Sequence, residues 1–331
     1  MIRRLILLAI VIVALAPGTF VRSTLPPPDV ESDITIARLT DLPENLGPFE
    51  VLNAWQLSST NDWFGSYSAL RATAPGRYLA VSDRGNALRF SIAGAQLSDG
   101  TLSRLPQDAV YADKYASDVE ALATQPETGA VWLAYEGLNA IERRNADLTE
   151  RKRVRPKAMA NWLGNSGPEA MLRFPDGRFI VIGEGTRAWT DKRLPAVMFN
   201  GDPVEAEEAV EFAFRAPEDF RPTDMAALPD GRVLILLRRI VWGLPPYFEI
   251  GLLVANPARI EEGKVWNGKL LTTFKRPFPT DNYEGLSVES DGGFPVILTL
   301  ISDDNGISYQ RTLVAQLQWD GRSDLSPASS Q

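Results

Sequence analysis

Through most of the chain the apolar residues come in short runs broken by Gly, Pro, Asp and Asn. No 3.6-residue periodicity runs far enough to predict an amphipathic helix. Five segments share one pattern: a small or acidic residue opens a short apolar run, a turn follows, and a β-branched run ends on an acid or arginine. The clearest runs from Glu169 through Pro175-Asp176-Gly177 to Glu184, and its nearest relative from Asp224 through Pro229-Asp230-Gly231 to Arg238. The other three run from Ser68 through Pro75-Gly76 to Asp83, from Glu120 through Pro126 and Gly129 to Glu136, and from Glu284 through Asp291-Gly292 to Asp303. Each reads as a β-hairpin, because the flanks carry β-formers and the turn glycine supplies the positive φ that a tight turn requires.

The hairpins open at 68, 120, 169, 224 and 284, and further β-like runs lie between them, such as Ala140–Arg143, Val210–Arg215, Tyr247–Ala255 and Lys269–Phe274. Two hairpins per repeat make a four-stranded unit of about 50 residues, the size of a propeller blade. The pattern predicts an all-β chain forming a single β-propeller, with five blade repeats visible and six possible. The runs Ile34–Leu39 and Val51–Leu57 are expected to join Thr312–Trp319 and close the ring, since an open propeller would expose strand edges.

Hairpin geometry gives the functional reading. The residue opening the first strand lies beside the one ending the second, at the end away from the turn. That pairs Glu120 with Glu136, Glu169 with Glu184, Asp224 with Arg238, Glu284 with Asp303, and Ser68 with Asp83. Repeat symmetry then gathers these residues, with Asp304, around one mouth of the central channel, interleaved with Arg84, Arg187, Arg238 and Arg239. So many like charges need arginines, a cation or raised pKa values to coexist. The blander alternative ties each acid to its own blade by backbone N–H bonds or an arginine.

Composition narrows the chemistry. The 331-residue chain has neither His nor Cys, which excludes Ser-His-Asp and Cys-His catalysis, thiolate zinc, iron–sulfur clusters and disulfides. What remains is carboxylates, Lys/Arg, hydroxyls, or a hard cation on oxygen ligands, with Ca²⁺ the natural candidate. A net charge of −8 argues against nucleic acid as a partner. The basic run Arg151-Lys152-Arg153 reads as a solvated face. The tryptophans, Trp55, Trp132, Trp189, Trp242, Trp266 and Trp319, read as inter-blade packing or rim residues.

At the N-terminus, Met1-Ile2-Arg3-Arg4 precedes twelve apolar residues, Leu5–Ala16, followed by a small, polar stretch. This is the layout of a secretory signal peptide, with cleavage expected after Ser23 and an uncleaved membrane anchor as the alternative. The expected organisation is a signal peptide at 1–23, a Pro-rich linker at 24–31, a propeller at 32–320 and a disordered tail at 321–331. The implied location is the periplasm or outside the cell.

Val81-Ser82-Asp83-Arg84-Gly85, Glu120-Ala121-Leu122, Gly167-Pro168-Glu169-Ala170, Arg221-Pro222-Thr223-Asp224 and Asn282-Tyr283-Glu284-Gly285-Leu286 occur in the order seen in a phytase-like family of exported bacterial proteins described as having esterase-like activity. The resemblance covers about residues 45–320. It implies a propeller related to alkaline phytases, which would favour six blades, together with a calcium-supported site and a phosphoester or carboxyl ester as substrate. No nucleophile carries over from it.

Two readings follow. In the first, a cation held by Glu120, Glu169, Asp224 and Glu284, with Asp83, polarises a small anionic ester. Glu136, Glu184 or Asp303 acts as general base, and Arg84, Arg187 or Arg238 stabilises the developing charge. In the second, the propeller is not an enzyme and its acidic mouth binds a cationic ligand or a protein loop. Calcium-dependent lactonase chemistry is a fainter variant of the first. The arginines discriminate: an anion-processing enzyme needs them free in the mouth, a binding module needs them locked in salt bridges.

Overall fold

The computed structural model describes residues 29–106, 118–163, 167–185, 192–205, 208–243, 246–307 and 309–322. The expected leader, most of the linker and most of the tail lie outside these residues, as do Arg187 and Trp189.

Among the described residues twenty-three strands form five sheets, and the ring has five blades; the six suggested by resemblance to alkaline phytases is corrected. Blade 1 is β4 (Tyr67–Ala74), β5 (Arg77–Ser82), β6 (Asn86–Ala93) and β7 (Gln96–Arg104). Blade 2 is β8 (Val119–Gln125), β9 (Ala130–Tyr135), β10 (Ala140–Arg144) and β11 (Arg151–Val154). Blade 3 is β12 (Pro168–Arg173), β13 (Phe179–Gly183), β14 (Leu194–Phe199) and β15 (Ala209–Phe214), with β19 (Val265–Trp266) added in parallel at its edge. Blade 4 is β16 (Arg221–Ala227), β17 (Val233–Val241), β18 (Tyr247–Ala255) and β20 (Lys269–Thr273).

Blade 5 closes the ring. Its C-terminal strands β21 (Asn282–Glu289), β22 (Val296–Asp303) and β23 (Thr312–Trp319) are completed by β3 (Phe49–Ser59), which pairs antiparallel with β23. Outside β3 lie β1 (Ile34–Arg38) and the two-residue β2 (Asn45–Leu46). The N-terminal strands therefore widen this sheet to six strands rather than starting a sixth blade.

The core is five wedges, one at each blade junction. Successive strand residues point to opposite faces, and both faces of every blade meet a neighbour, so alternate residues feed different wedges. On β17, Leu234 and Leu236 pack toward blade 5 while Val233, Ile235 and Leu237 pack toward blade 3. This two-sided burial explains the near-continuous apolar runs of the inner strands. Trp55, Trp132, Trp266 and Trp319 are buried in the wedges, with Trp132 5.1 Å from Phe179 and Trp319 5.4 Å from Phe49 between ring centres. The basic strand β11 is ion-paired: Lys152 reaches Glu205, and Arg153 reaches Glu142.

Candidate functional site

Each blade's innermost strand carries a β-bulge near its start, at Ser68, Glu120, Glu169, Thr223 and Glu284. A bulge puts two residues opposite one, bends the strand and re-aims the extra side chain. These five residues form one tier around the channel. The next tier sits at the ends of the second strands: Asp83, Glu136, Glu184, Arg238 and Asp303. Asp83 N donates to Ser66 O at 3.1 Å, Glu136 N to Asp118 O at 3.0 Å and Glu184 N to Gly167 O at 3.2 Å. Arg238 lies opposite Arg221, and Asp303 opposite Asn282.

The bulges correct one assignment. In blade 4 the bulge residue is Thr223, so Asp224 is one position deeper, equivalent to Ala69, Ala121, Ala170 and Gly285, and faces Leu236 rather than Arg238. Its carboxylate meets Arg71 below the rim, with Arg71 Nη1 2.6 Å from Oδ2 and Nη2 2.7 Å from Oδ1. Met225 N (2.8 Å) and Leu286 N (2.7 Å) donate to the same two oxygens. Burial pushes Asp224 up, and these donors push it back. With both oxygens committed, Asp224 has no free ligand atom for a rim cation.

The remaining rim acids raise one another. Glu120 is pushed well above the usual carboxylate range by burial, then by Glu169, Glu284, Asp83 and Asp118. Glu169 is likewise raised well above it by burial and Glu184, against the opposing pull of Arg238. Burial raises Glu284 despite Arg238 and a hydrogen bond from Asn282 at 2.7 Å. Asp303 is pushed up to about 9 by burial and Glu284.

The arginines are largely occupied. Arg238 is ion-paired with Glu284, and although burial opposes its charge, Glu284, Glu184, Glu169 and Glu120 hold its pKa above the ordinary value. Arg84 donates to the carbonyl of Asp62 at 3.1 Å and fills the space beside Gly306. Arg239 bonds Glu249 and Glu218 on the outer side. Asp304 is a loop anchor, accepting from Ser66 N at 3.1 Å, Gly306 N at 3.0 Å and the Thr312 hydroxyl at 2.8 Å.

Among the described residues, the one group of three carboxylates with oxygens all within 4.8 Å of one another is Asp118, Glu120 and Glu136. The expected set of Glu120, Glu169, Asp224, Glu284 and Asp83 is thus divided. Glu120 sits in this cluster, Asp224 is held by Arg71 and Glu284 by Arg238, while Glu169 and Asp83 line the rim beside it. Asp118 escaped the sequence reading because it precedes the repeat opening by two residues. The signal was its place opposite Glu136 once the strand is extended past the bulge.

Residues 62–306 match the family model for phytase-like proteins, described as "Esterase-like activity of phytase". No curated protein matches the chain. Among solved structures, the chain is similar to the Myxococcus xanthus glutaminyl cyclase at 14% identity, covering 82% of this chain and 96% of that one, with a TM-score of 0.45. A luciferin-regenerating enzyme aligns at 11% identity over 87% and 88% with a TM-score of 0.43, and a nidogen/laminin complex at 10% over 85% and 98% with a TM-score of 0.42. With the match spanning most of its length, the chain belongs to the phytase-like family.

Proposed function

We propose that this phytase-like protein is an exported hydrolase of an anionic ester, a phosphoester or a carboxyl ester, supported by a divalent cation at the acidic channel mouth. The observation that carries the reading is the convergence of Asp118, Glu120 and Glu136 inside a rim whose acids already strain against one another's charge. An all-oxygen donor set in a chain without His or Cys fits a hard ion such as Ca²⁺. When bound, such an ion supplies Lewis-acid polarisation and a more acidic water.

The chain's own residues supply the proton chemistry. In this reading Glu184, just past the end of its strand and beside Glu169, accepts the proton of an attacking water. Asp303, its carboxyl raised to about 9 by burial and Glu284, is the group that in this reading gives one to the departing alcohol. Glu136, by its position a candidate for the base, instead joins the cation cluster with Asp118 and Glu120. Arg238 is left to offset rim charge through Glu284. The sequence pattern Met1–Ala16 supports export to the periplasm or beyond.

The commitment of Arg238 to Glu284 favours a second reading, a non-catalytic propeller that binds a cationic ligand or protein loop at the same mouth. One experiment separates the two. Ca²⁺ at a hundredfold excess over its dissociation constant should stabilise the protein by about 2.7 kcal/mol. The double substitution Asp118→Asn/Glu120→Gln should abolish that response and the turnover of p-nitrophenyl phosphate or p-nitrophenyl acetate together. A calcium response without turnover of either ester selects the binding module, and no calcium response removes the cation.

A further inference from the structure

The blades are not equal above the rim. The second strands of blades 1, 2, 3 and 5 stop at Ser82, Tyr135, Gly183 and Asp303, at or just below the upper tier. In blade 4 the corresponding position is Leu237, yet β17 continues to Val241, paired throughout with β18: Arg238 with Ile250, Arg239 with Glu249, Ile240 with Phe248 and Val241 with Tyr247. Since Arg238 stands in the upper tier itself, three further pairs carry this two-stranded ribbon about 10 Å past the rim at ~3.3 Å per residue.

Beyond the Arg239–Glu249 ion pair, the ribbon is apolar where a solvated hairpin would be polar. Ile240 is 50% exposed, Tyr247 58% and Trp242, just past the end of β17, 84%. Two-residue alternation puts Ile240 on the face of Arg238, the residue ion-paired to Glu284 in the mouth. The apolar surface therefore rises from the site itself. On the same side of the ring, the β22–β23 loop of blade 5 exposes Tyr309 and, less fully, Ile307.

Resting on the reading of the mouth as an ester site, we propose that the β17–β18 ribbon is a substrate-binding flap for the apolar acyl or alkyl part of the ester. The preferred substrates are then amphiphilic esters whose polar centre faces the carboxylates and whose apolar portion lies on Ile240 and Trp242, rather than fully polar polyol phosphates. Side chains left in water by the fold gain burial only when such a portion arrives, at about fourfold in affinity for each methylene covered.

The test separates this proposal from the one it rests on. By calorimetry in the presence of Ca²⁺, octyl phosphate should bind at least about tenfold tighter than methyl phosphate. Trp242→Ser and Ile240→Ser should each shrink that preference severalfold, while Val265→Ser, an exposed change at the edge of blade 3, should leave it intact. In turnover, the ratio of kcat/KM for p-nitrophenyl octanoate over p-nitrophenyl acetate should fall in the same variants. Equal binding of the two phosphates, no binding of either, or a preference untouched by both ribbon substitutions overturns the flap. So does a Trp242→Ser variant that loses affinity for phosphatidylcholine vesicles, or loses self-association in sedimentation, with its chain-length preference unchanged. A chain-length preference without any turnover keeps the flap and discards the hydrolase.

Discussion

Asp303 shows how burial sets the behaviour of single residues at the rim. Its carboxyl, raised from 3.8 to about 9 by burial and by Glu284, keeps its proton in the folded state across a range where the unfolded chain has lost it. The folded state then binds more protons than the unfolded one, so stability falls as pH rises. The contribution is complete below about pH 4 and gone once pH passes about 9. Glu120, Glu169 and Glu284 act in the same direction. Metal-free protein should therefore show a declining Tm from pH 5 to pH 9. Asp303→Asn, which mimics the protonated acid and retains an oxygen for the Asn305 N–H now 2.6 Å away, should raise Tm at pH 8 and flatten part of the slope. A variant whose Tm stays parallel to that of the parent protein across this range would show that Asp303 is ionised in the fold.

At the scale of the element, the recurrent device is the bulge on each inner strand, and its neighbours record how tightly the blades approach. The position after the bulge is alanine in blades 1, 2 and 3, but Gly285 in blade 5. A Cβ there would lie 2.6 Å from Ile301 Cγ2 and 2.8 Å from both Cβ and N of Leu70 in blade 1. Since backbone is among the atoms met, Gly285→Ala should cost about 1–3 kcal/mol by overpacking. Urea denaturation should show the midpoint falling at constant m, and an unchanged midpoint would mean that blades 5 and 1 can part freely. Hairpins were legible in the sequence because turn glycines and β-formers announce them locally. The bulge was not, since an extra residue leaves no mark on composition, and this displaced Asp224 by one position and hid Thr223. Asp118 was lost for a related reason: it lies outside the repeated unit and joins Glu136 only through strand pairing. The overshoot of β17 was invisible because Arg238 occupies the place where the other hairpins end on an acid, so the repeat pattern closes the strand there, although Ile240 and Val241 carry it on.

Over the whole molecule, five similar blades could close around an open channel, but one asymmetric pair spans it. Arg71, midway along β4 where the other inner strands carry Ala123, Leu172, Ala226 and Ser287, points inward and bonds to four blades. Its Nη1 reaches the carbonyls of Leu70 and Leu286 at 2.6 Å each, its Nη2 those of Met171 and Met225 at 2.8 Å each, and both nitrogens reach Asp224. The guanidinium thus supports the rim acids from below while tying blades 1, 3, 4 and 5 to a common centre. The carbonyl ends it satisfies belong to strands whose own ladders leave them facing the channel, so removing it exposes several partners at once. Breaking a buried ion pair by deleting one member costs about 3–5 kcal/mol, because the other charge stays buried without compensation, whereas replacing both with apolar groups can be close to neutral. Arg71→Met should therefore destabilise the protein by that amount in urea denaturation, and Asp224→Leu by a comparable one. If the damage is the orphaned charge, the double variant Arg71→Met/Asp224→Leu should recover much of the loss. If the damage is the loss of the four-blade tie through the carbonyls, the double variant should stay as unstable as Arg71→Met, and its m value should drop as the blades cease to unfold as one unit.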